Sequence, residues 1–437
     1  KISSIVHYHN SYFVGFLMDG ILLLEKQKET DHYQIQSLPI NSGVFCLKKD
    51  RFQDVVWIGT DGQGVYLYSN PLYSIKSMVL SNYTEKIERP VRAIYLDDER
   101  TFWVGTKGNG ILKIYDYEFD KNISDCRAEV LTTSNSALSS NAVYCFAKSH
   151  RNLLWIGDEE GLTYYSYREK RIKSIPIRIG NEDFKYIHDI YETADSELWL
   201  ASVGMGVVKA RIAGTPDNPV IVDAQRYVIN DGELGSNYFF TIYAENEANL
   251  LFGNKGYGVF RYNETTNGLE PVSTHKYENM TLNNILAINK DSSNNHLFGT
   301  SYGLIKYTSE TSYQLFNAKN GFLNNTIHAI LRNSSDNFWL STNLGLINFD
   351  TKRNVFRSYG FGDGLKVVEF SDGAGFRDSR TGTLFFGGIN GVVAIRADGR
   401  PEQLYMPPVY FDKLSIFGEQ YNLGEFLTRK KETEVLN

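Results

Sequence analysis

The amino-acid sequence predicts an all-β fold: a β-propeller of four-stranded blades, seven favoured and eight possible, with extra blade segments flanking the ring. Three observations lead there. One pattern recurs nine times along the chain. Its mean period is 46.5 residues, inside the roughly 40–50 residue range of propeller repeats. Each unit also breaks into short apolar runs bounded by turn residues, as strands do and long helices do not.

The pattern is an apolar strand, a polar turn, an aromatic–apolar–Gly–Thr-like segment, a tight Gly turn and a further apolar strand ending in Tyr or Phe. Clear copies begin at Val55 (VVWIGTDGQGVYLY), Thr101 (TFWVGTKGNGILKIY) and Leu153 (LLWIGDEEGLTYY). Others begin at Glu197, Leu250, His296, Asn337 and Leu384, with a partial copy at Tyr12. Anchored on the first small residue, the copies fall at Gly15, Gly59, Gly105, Gly157, Ala201, Gly253, Gly299, Ser341 and Gly387, spaced 42–52 residues apart. Upstream of the anchors lie the runs that would form the innermost strands, such as VRAIYL at Val91, VYCFA at Val143, IHDIY at Ile187 and IHAIL at Ile327. A weaker fourth run, such as NVFRSY from Asn354, follows in most units. Four strands per period make one blade.

Residue choices follow from blade stacking. Blades pack face to face, so the middle strands are apolar on both sides. Trp57, Trp103, Trp155, Trp199 and Trp339 share one repeat position. They read as wedges between blades, with a sugar-stacking platform as the less favoured use. The Gly two residues on serves either a positive-φ turn or a close backbone approach.

Composition narrows the function. Of 437 residues 42% are hydrophobic and 14% aromatic, a strand-leaning mixture. The formal net charge is −6 with no basic run to track phosphates, which argues against nucleic acid. No apolar stretch reaches the ~18 residues of a membrane span. The N-terminus lacks a signal-peptide pattern and begins inside a repeat, so a mature or excised fragment is expected. Cys46, Cys126 and Cys145 are odd in number and form no CxxC, which supports neither a disulfide framework nor a zinc site. Cys46 and Cys145, at near-equivalent apolar positions, read as small buried hydrophobes.

No catalytic motif stands out: GxSxG, P-loop, HExxH and strand-following GxGxxG patterns are absent as usable signals. No histidine pair has metal-ligand spacing. The reading is therefore no catalytic residue, no metal and no cofactor. A propeller binds at one mouth, where loops entering the innermost strands meet the loops between second and third strands. The expected contributors at the strand entrances are Arg92, Tyr144, His188, Asp189, Tyr238, Asn284, His328 and Lys366. From the loops come Lys107, Asn109, Lys255 and Tyr257, together with Glu159, Asn343 and Asn390. Aromatic faces mixed with amide, imidazole and charged groups suit a carbohydrate. Against that stands the plainer reading of solvated loop residues, with His188 and His328 as satisfied polar groups between blades.

The repeat resembles that of the two-component regulator propeller family, whose consensus runs roughly I-x-x-I-x-x-D-x-x-G-x-L-W-I-G-T-x-x-G-L-x-x-Y. NGFLNNTIHAILRNSSDNFWLSTNLGLINFD from Asn320 is one full unit, and GDGLKVVEFSDGAGFRDSRTGTLFFGGINGVVAI from Gly362 resembles the last blade of the periplasmic sensor region in hybrid two-component systems of Bacteroidetes. MPPVYFDKLSIFGEQ from Met406 is similar to the opening of the triple-tyrosine immunoglobulin-like domain that follows there. The resemblance implies the last blades of a preceding propeller in residues 1–74, a C-terminal propeller over 75–405 and the start of the immunoglobulin-like domain in 406–437. Alternatively, the first blades belong to the same ring. It also implies a periplasmic, ligand-sensing module of an inner-membrane histidine kinase. Such a module would sense an oligosaccharide and act within a homodimer, touching the membrane only through segments this chain does not contain. The family pattern has fourteen repeats, and this chain has nine. The alternatives kept open are a propeller carbohydrate-active enzyme, a lyase or glycosidase, and a protein-binding propeller scaffold.

Overall fold

The computed structural model describes residues 1–26, 32–50, 55–69, 73–82, 87–229, 237–272, 283–309, 311–363, 365–397, 414–416 and 419–421. They form two compact units: residues 73–397, and residues 1–72 with 398–437.

The larger unit holds seven four-stranded antiparallel sheets. Their innermost strands are Val91–Leu96 (sheet I), Val143–Lys148 (II), Ile187–Glu192 (III), Phe239–Asn246 (IV), Ile285–Lys290 (V), Ala329–Arg332 (VI) and Phe370–Arg377 (VII). Each of these strands touches the next, and VII touches I, so the sheets stand in a closed ring. Within a sheet the strands run inside to outside in chain order. Sheet VII is the exception. Its own chain supplies three strands, and the outermost, Tyr73–Val79, comes from the start of the unit to pair with Gly391–Ala397. The ring is thus closed by hydrogen bonds between its two chain ends, Ala397 opposite Tyr73.

The anchor glycines show why the sheets sit so close. A methyl group at Gly105 would lie 2.7 Å from Val143 Cγ1 of sheet II, and one at Gly387 would lie 2.6 Å from Val91 Cγ1 of sheet I. Gly157, Gly253 and Gly299 meet Ile187, Ile285 and Ile327 of the following sheets in the same way. None of these five has a positive φ. Of the two roles open to this Gly, the structure uses close approach. The repeat spacing is the distance along the chain from one such contact to the next.

Above each contact the tryptophan fills the space between sheets. Trp103, Trp155, Trp199 and Trp339 are fully buried or nearly so. Burial would strand the indole N–H, and at Trp103 and Trp155 a carboxylate meets it. Trp103 Nε1 donates to Asp97 Oδ2 at 2.8 Å, in the turn that closes its own sheet, and Trp155 Nε1 donates to Glu192 Oε2 at 2.7 Å in the next sheet. Asp97 Oδ1 also accepts from the Thr101 N–H, which explains the acidic start of the polar turn.

The smaller unit has a four-stranded sheet (Ile2–Tyr8, Ser11–Phe16, Ile21–Lys26, Tyr33–Ser37), a three-stranded sheet (Val44–Lys49, Val55–Thr60, Val65–Ser69) and a hairpin of Leu414–Ile416 with Glu419–Tyr421. Most of the segment expected to open an immunoglobulin-like domain lies outside the described residues. The 44–69 sheet corrects two expectations. Trp57 is 39% exposed, although its counterparts in the larger unit are buried, and Cys46 is exposed rather than a buried hydrophobe. The physical reason is that no β-branched residue meets the anchor of this sheet among the described residues. Ile187 of the next sheet covers Cys145 at Gly157, whereas at Gly59 only Cys46 itself lies within reach.

Two outcomes follow. Gly387→Ala destabilises the larger unit by about 1–3 kcal/mol through overpacking against Val91, and adding Val91→Ala recovers part of the loss. A double-mutant cycle in urea unfolding reads this coupling. Trp155→Ala costs about 3–5 kcal/mol by the same measurement.

Candidate functional site

The innermost strands are irregular at one shared place. In sheet I, Val91 lies opposite Thr106 and Ala93 opposite Gly105, so Arg92 is an extra residue with no partner across the ladder. Tyr144, His188, Phe240 and Leu286 occupy the same one-residue bulge in sheets II to V. In sheet VI, His328 precedes the pair Ala329–Ser341. Sheet VII is looser: Phe370 lies opposite Gly388 and pairing resumes only at Gly375 opposite Phe386. Ser371, Asp372 and Gly373 take the place of the single residue, and the Gly373 N–H donates to the His328 carbonyl of sheet VI. A bulge re-aims its side chain. Five such bulges, the wide bulge of sheet VII and His328 at the start of sheet VI gather their side chains about the axis.

These side chains touch in sequence. The Arg92 guanidinium lies 5.8 Å from the Tyr144 ring centroid. Tyr144 stacks on His188 at 4.3 Å with 20° between planes, and His188 meets Phe240 edge-on at 5.4 Å. On the other side, His328 Nδ1 bonds Asp372 Oδ1 at 2.5 Å, and Asp372 Oδ2 lies 3.6 Å from Arg92. Leu286 is buried. A layer of side chains therefore spans the axial channel, with Asp372 as its charged hub, 28% exposed. Burial alone would raise the Asp372 pKa, but the hydrogen bond from His328 and the charge of Arg92 hold it below the usual carboxylate range. Burial, then the nearby Arg92 and Lys107, push His188 down to about 3, so it is neutral at physiological pH.

His328 is engaged at both ring nitrogens: Nε2 lies 2.7 Å from Asn343 Oδ1 in the loop after the second strand of sheet VI. Neither nitrogen is left over to take a proton from a ligand. Among the described residues no group of three or more His, Cys, Asp or Glu side chains is placed to hold a metal ion.

The structure separates the expected site residues. Arg92, Tyr144, His188 and His328 meet in the channel layer. Tyr238, Asn284 and Lys366 do not, because the sequence frame there runs early. Tyr238 and Asn284 sit two positions before the bulge residues Phe240 and Leu286, and Tyr238 bridges Val203 instead. Lys366 is exposed and precedes the wide bulge that delivers Asp372. Asp189 is half-buried, its two oxygens accepting from the Ile190 and Ile242 N–H groups, so it ties sheet III to sheet IV. Burial raises its pKa to about 6, against those hydrogen bonds. In the loops Lys107 and Lys255 are exposed, and Tyr257 packs beside the sheet III–IV core. Asn109 braces its loop by accepting from the Glu88 and Arg89 N–H groups.

Sequence reading also missed Tyr186, an exposed ring at the start of sheet III held at φ 54°, where a bulky side chain is uncommon. Exposed Leu344 and Ile389 stand in the same class of mouth loops. The usable signal was the β-branched residue that meets each anchor glycine. Counting one residue on from Val91, Val143, Ile187, Ile285 or Ile327 gives the bulge residue.

His188 carries a pH signature. Unfolded, it protonates near pH 6.5; folded, only near 3. The folded protein therefore loses stability relative to the unfolded chain as pH falls below 6.5. Asp158 and Asp189, raised to about 6 by burial, act in the opposite sense, but they are common to wild type and variant. His188→Phe, which keeps the stacking face, is expected to gain on wild type by about 2 kcal/mol between pH 7 and pH 4.5. Urea unfolding across that range checks it, and a constant offset contradicts the assignment.

No protein-family profile matches the chain. A curated relative, translation initiation factor 6 of Saccharolobus solfataricus, is 31% identical over 140 residues, 29% of this chain and 57% of that protein. The extracellular domain of a hybrid two-component system from B. thetaiotaomicron superposes with a TM-score of 0.61 at 24% identity, covering 91% of this chain and 51% of that one. The extracellular domain of a one-component system from the same organism gives 0.58 at 17% identity, with 97% and 55% covered. A virginiamycin B lyase from Staphylococcus aureus gives 0.56 at 15% identity, with 74% and 99% covered. The chain spans about half the length of the sensor domains it matches. It has the propeller fold of these extracellular domains.

Proposed function

We propose that this chain is part of the extracytoplasmic sensing region of a two-component receptor. The carrying observation is that one extracellular sensor domain shares its fold over 91% of the chain. The repeat pattern, read independently of coordinates, supports the same reading. The smaller unit fits it as well. The 44–69 sheet leaves Trp57 and Leu67 exposed, the face on which Trp103 and Trp155 are buried in their own sheets, so residues 1–72 read as the last blades of a preceding ring. No helix among the described residues is long and apolar enough to cross a membrane. The signal would pass to a membrane segment and a histidine kinase beyond this chain, through a homodimer in the periplasm. A ligand changes that output only by binding one arrangement better than another.

The ligand we assign to the mouth of the larger unit is an oligosaccharide. The channel layer forms a floor of fixed rings around Asp372, and the loops above it present Tyr186, Lys107, Lys255 and Asn390. Stacking faces beside many donors and acceptors suit sugar rings. The lyase fold raises a catalytic alternative, and the His328–Asp372 pair is the one feature that favours it. The engagement of both His328 nitrogens speaks against a free general base.

Calorimetry of the whole chain against defined plant, host and microbial oligosaccharides tests the reading. One glycan is expected to bind, and Tyr186→Ala weakens it about tenfold by removing roughly 1.4 kcal/mol of stacking without moving the melting temperature. If no glycan binds, direct sensing by this chain fails.

A further inference from the structure

The hydrogen bonds of the channel layer are unevenly spent. On the side of sheets VI and VII they are made: His328 Nδ1 and Nε2 face Asp372 Oδ1 and Asn343 Oδ1 at 2.5 and 2.7 Å. On the side of sheets I to III they are not. Among the described residues Arg92 makes no hydrogen bond, and the carboxylate oxygen it faces, Asp372 Oδ2, stands 3.6 Å away. Its Nε is buried without a partner, while its terminal nitrogens stay open to the channel. The Tyr144 hydroxyl and the His188 ring nitrogens likewise make no hydrogen bond among the described residues, and neither side chain is sealed from solvent.

What this arc offers is mainly protons. A guanidinium is all donors, set in one plane. Burial, then the neighbouring Glu159, raises the Tyr144 pKa, so that hydroxyl keeps its proton. Neutral His188 donates from one nitrogen and accepts at the other. Lys107 is exposed on the loop beside them, and its charge reaches His188 together with that of Arg92. A donor withdrawn from water without an acceptor is costly. A sugar hydroxyl would meet one donor of the guanidinium. A carboxylate meets two at once and brings the opposite charge, the pairing to which the planar fork is matched.

The carboxylates already present do not spoil the match. Asp372 gives its short bond to His328, and its 3.6 Å contact leaves the donors of Arg92 unspent. Glu159 is the group that opposes an incoming anion. Its Oε2 accepts from Ser140 Oγ at 3.3 Å, and its charge acts on Tyr144 ahead of that of Arg92.

We propose that the glycan of the mouth is acidic, a uronate-bearing oligosaccharide whose carboxylate seats on the Arg92 fork while Lys107, Tyr144 and His188 supply further donors. This rests on the reading of the mouth as a glycan site and narrows that site to one chemical class.

The whole 437-residue chain is titrated by calorimetry with oligomers of galacturonate, of mannuronate and guluronate, and of a glucuronate-containing repeat. Each is paired with the same oligomer after carboxyl reduction, which turns the carboxylate into a primary alcohol and leaves the ring unchanged. At least one acidic oligomer is expected to bind, and its reduced twin binds about 10–100-fold more weakly, the worth of a charge-assisted pair. Arg92→Gln erases the difference between the twins. Arg92→Lys, which keeps the charge and loses the fork, restores only part of it. Lys107→Gln weakens the acidic oligomer about two- to fivefold, and Glu159→Gln strengthens it by a similar factor. Lys107 is exposed, so its variant keeps the test alive should Arg92→Gln fold poorly. A neutral oligomer that binds while every acidic one fails overturns the inference and leaves the mouth reading standing. Twins that bind equally, or a preference for the acid that survives Arg92→Gln, overturn it as well. No binding by any oligomer sinks both.

Discussion

The fold depends on one contact repeated at five of the seven junctions of the ring, an anchor glycine meeting a β-branched residue of the following sheet, with Ala201 and Ser341 as the small anchors of the other two. At Gly387 that residue is Val91, so the contact that joins neighbours also joins the last sheet to the first. A sheet with two apolar faces cannot stand alone in water, and burial of those faces drives stacking. The glycine sets how close the stacking comes, and hence how much of each tryptophan is withdrawn from solvent. The 44–69 sheet displays the rule by its exception. It has the same anchor, Gly59, but among the described residues only Cys46 meets it, and its Trp57 stays partly in water.

Close approach at the anchors has a consequence at the axis. The innermost strand must bring its β-branched residue onto one glycine and its next small residue opposite its own, and the extra residue between them bulges toward the channel. The chain places chemistry there: a cation, three aromatic or imidazole rings, an aliphatic group, a second histidine and a carboxylate. The wide bulge of sheet VII matters most, since three residues rather than one let Asp372 reach both Arg92 and His328. The result is a floor held by ion pairs and stacking, stiff enough to position a ligand above it.

The two ends of the molecule differ in kind. At the mouth, exposed loops stand over a layer held by the Arg92–Asp372 ion pair, the His328–Asp372 hydrogen bond and stacked rings, an arrangement suited to polar ligands with many contacts. At the seam where the ring closes, apolar side chains of sheets I and VII lie beneath paired charges. The seam is also where closure rests on strand pairing between chain ends and on Lys76 and Arg396, rather than on continuous chain.

Much of this was legible in the order of residues. The period, the strand character of each unit and the interblade role of Trp103, Trp155, Trp199 and Trp339 follow from local pattern, because each blade must hide the same two faces with the same residue types. Four channel residues, Arg92, Tyr144, His188 and His328, were legible for the same reason. Phe240 and Leu286 were missed because the run of apolar residues in sheets IV and V hides which one meets the glycine, and a shift of two residues leaves the strand pattern unchanged. Asp372 could not be found from spacing, since the width of a bulge depends on how a strand fits its neighbour. The exposure of Cys46 and Trp57 and the closure by Tyr73–Val79 likewise belong to the tertiary structure alone. Each depends on which surface meets which across long stretches of chain, and a local repeat carries no record of whether its partner is there.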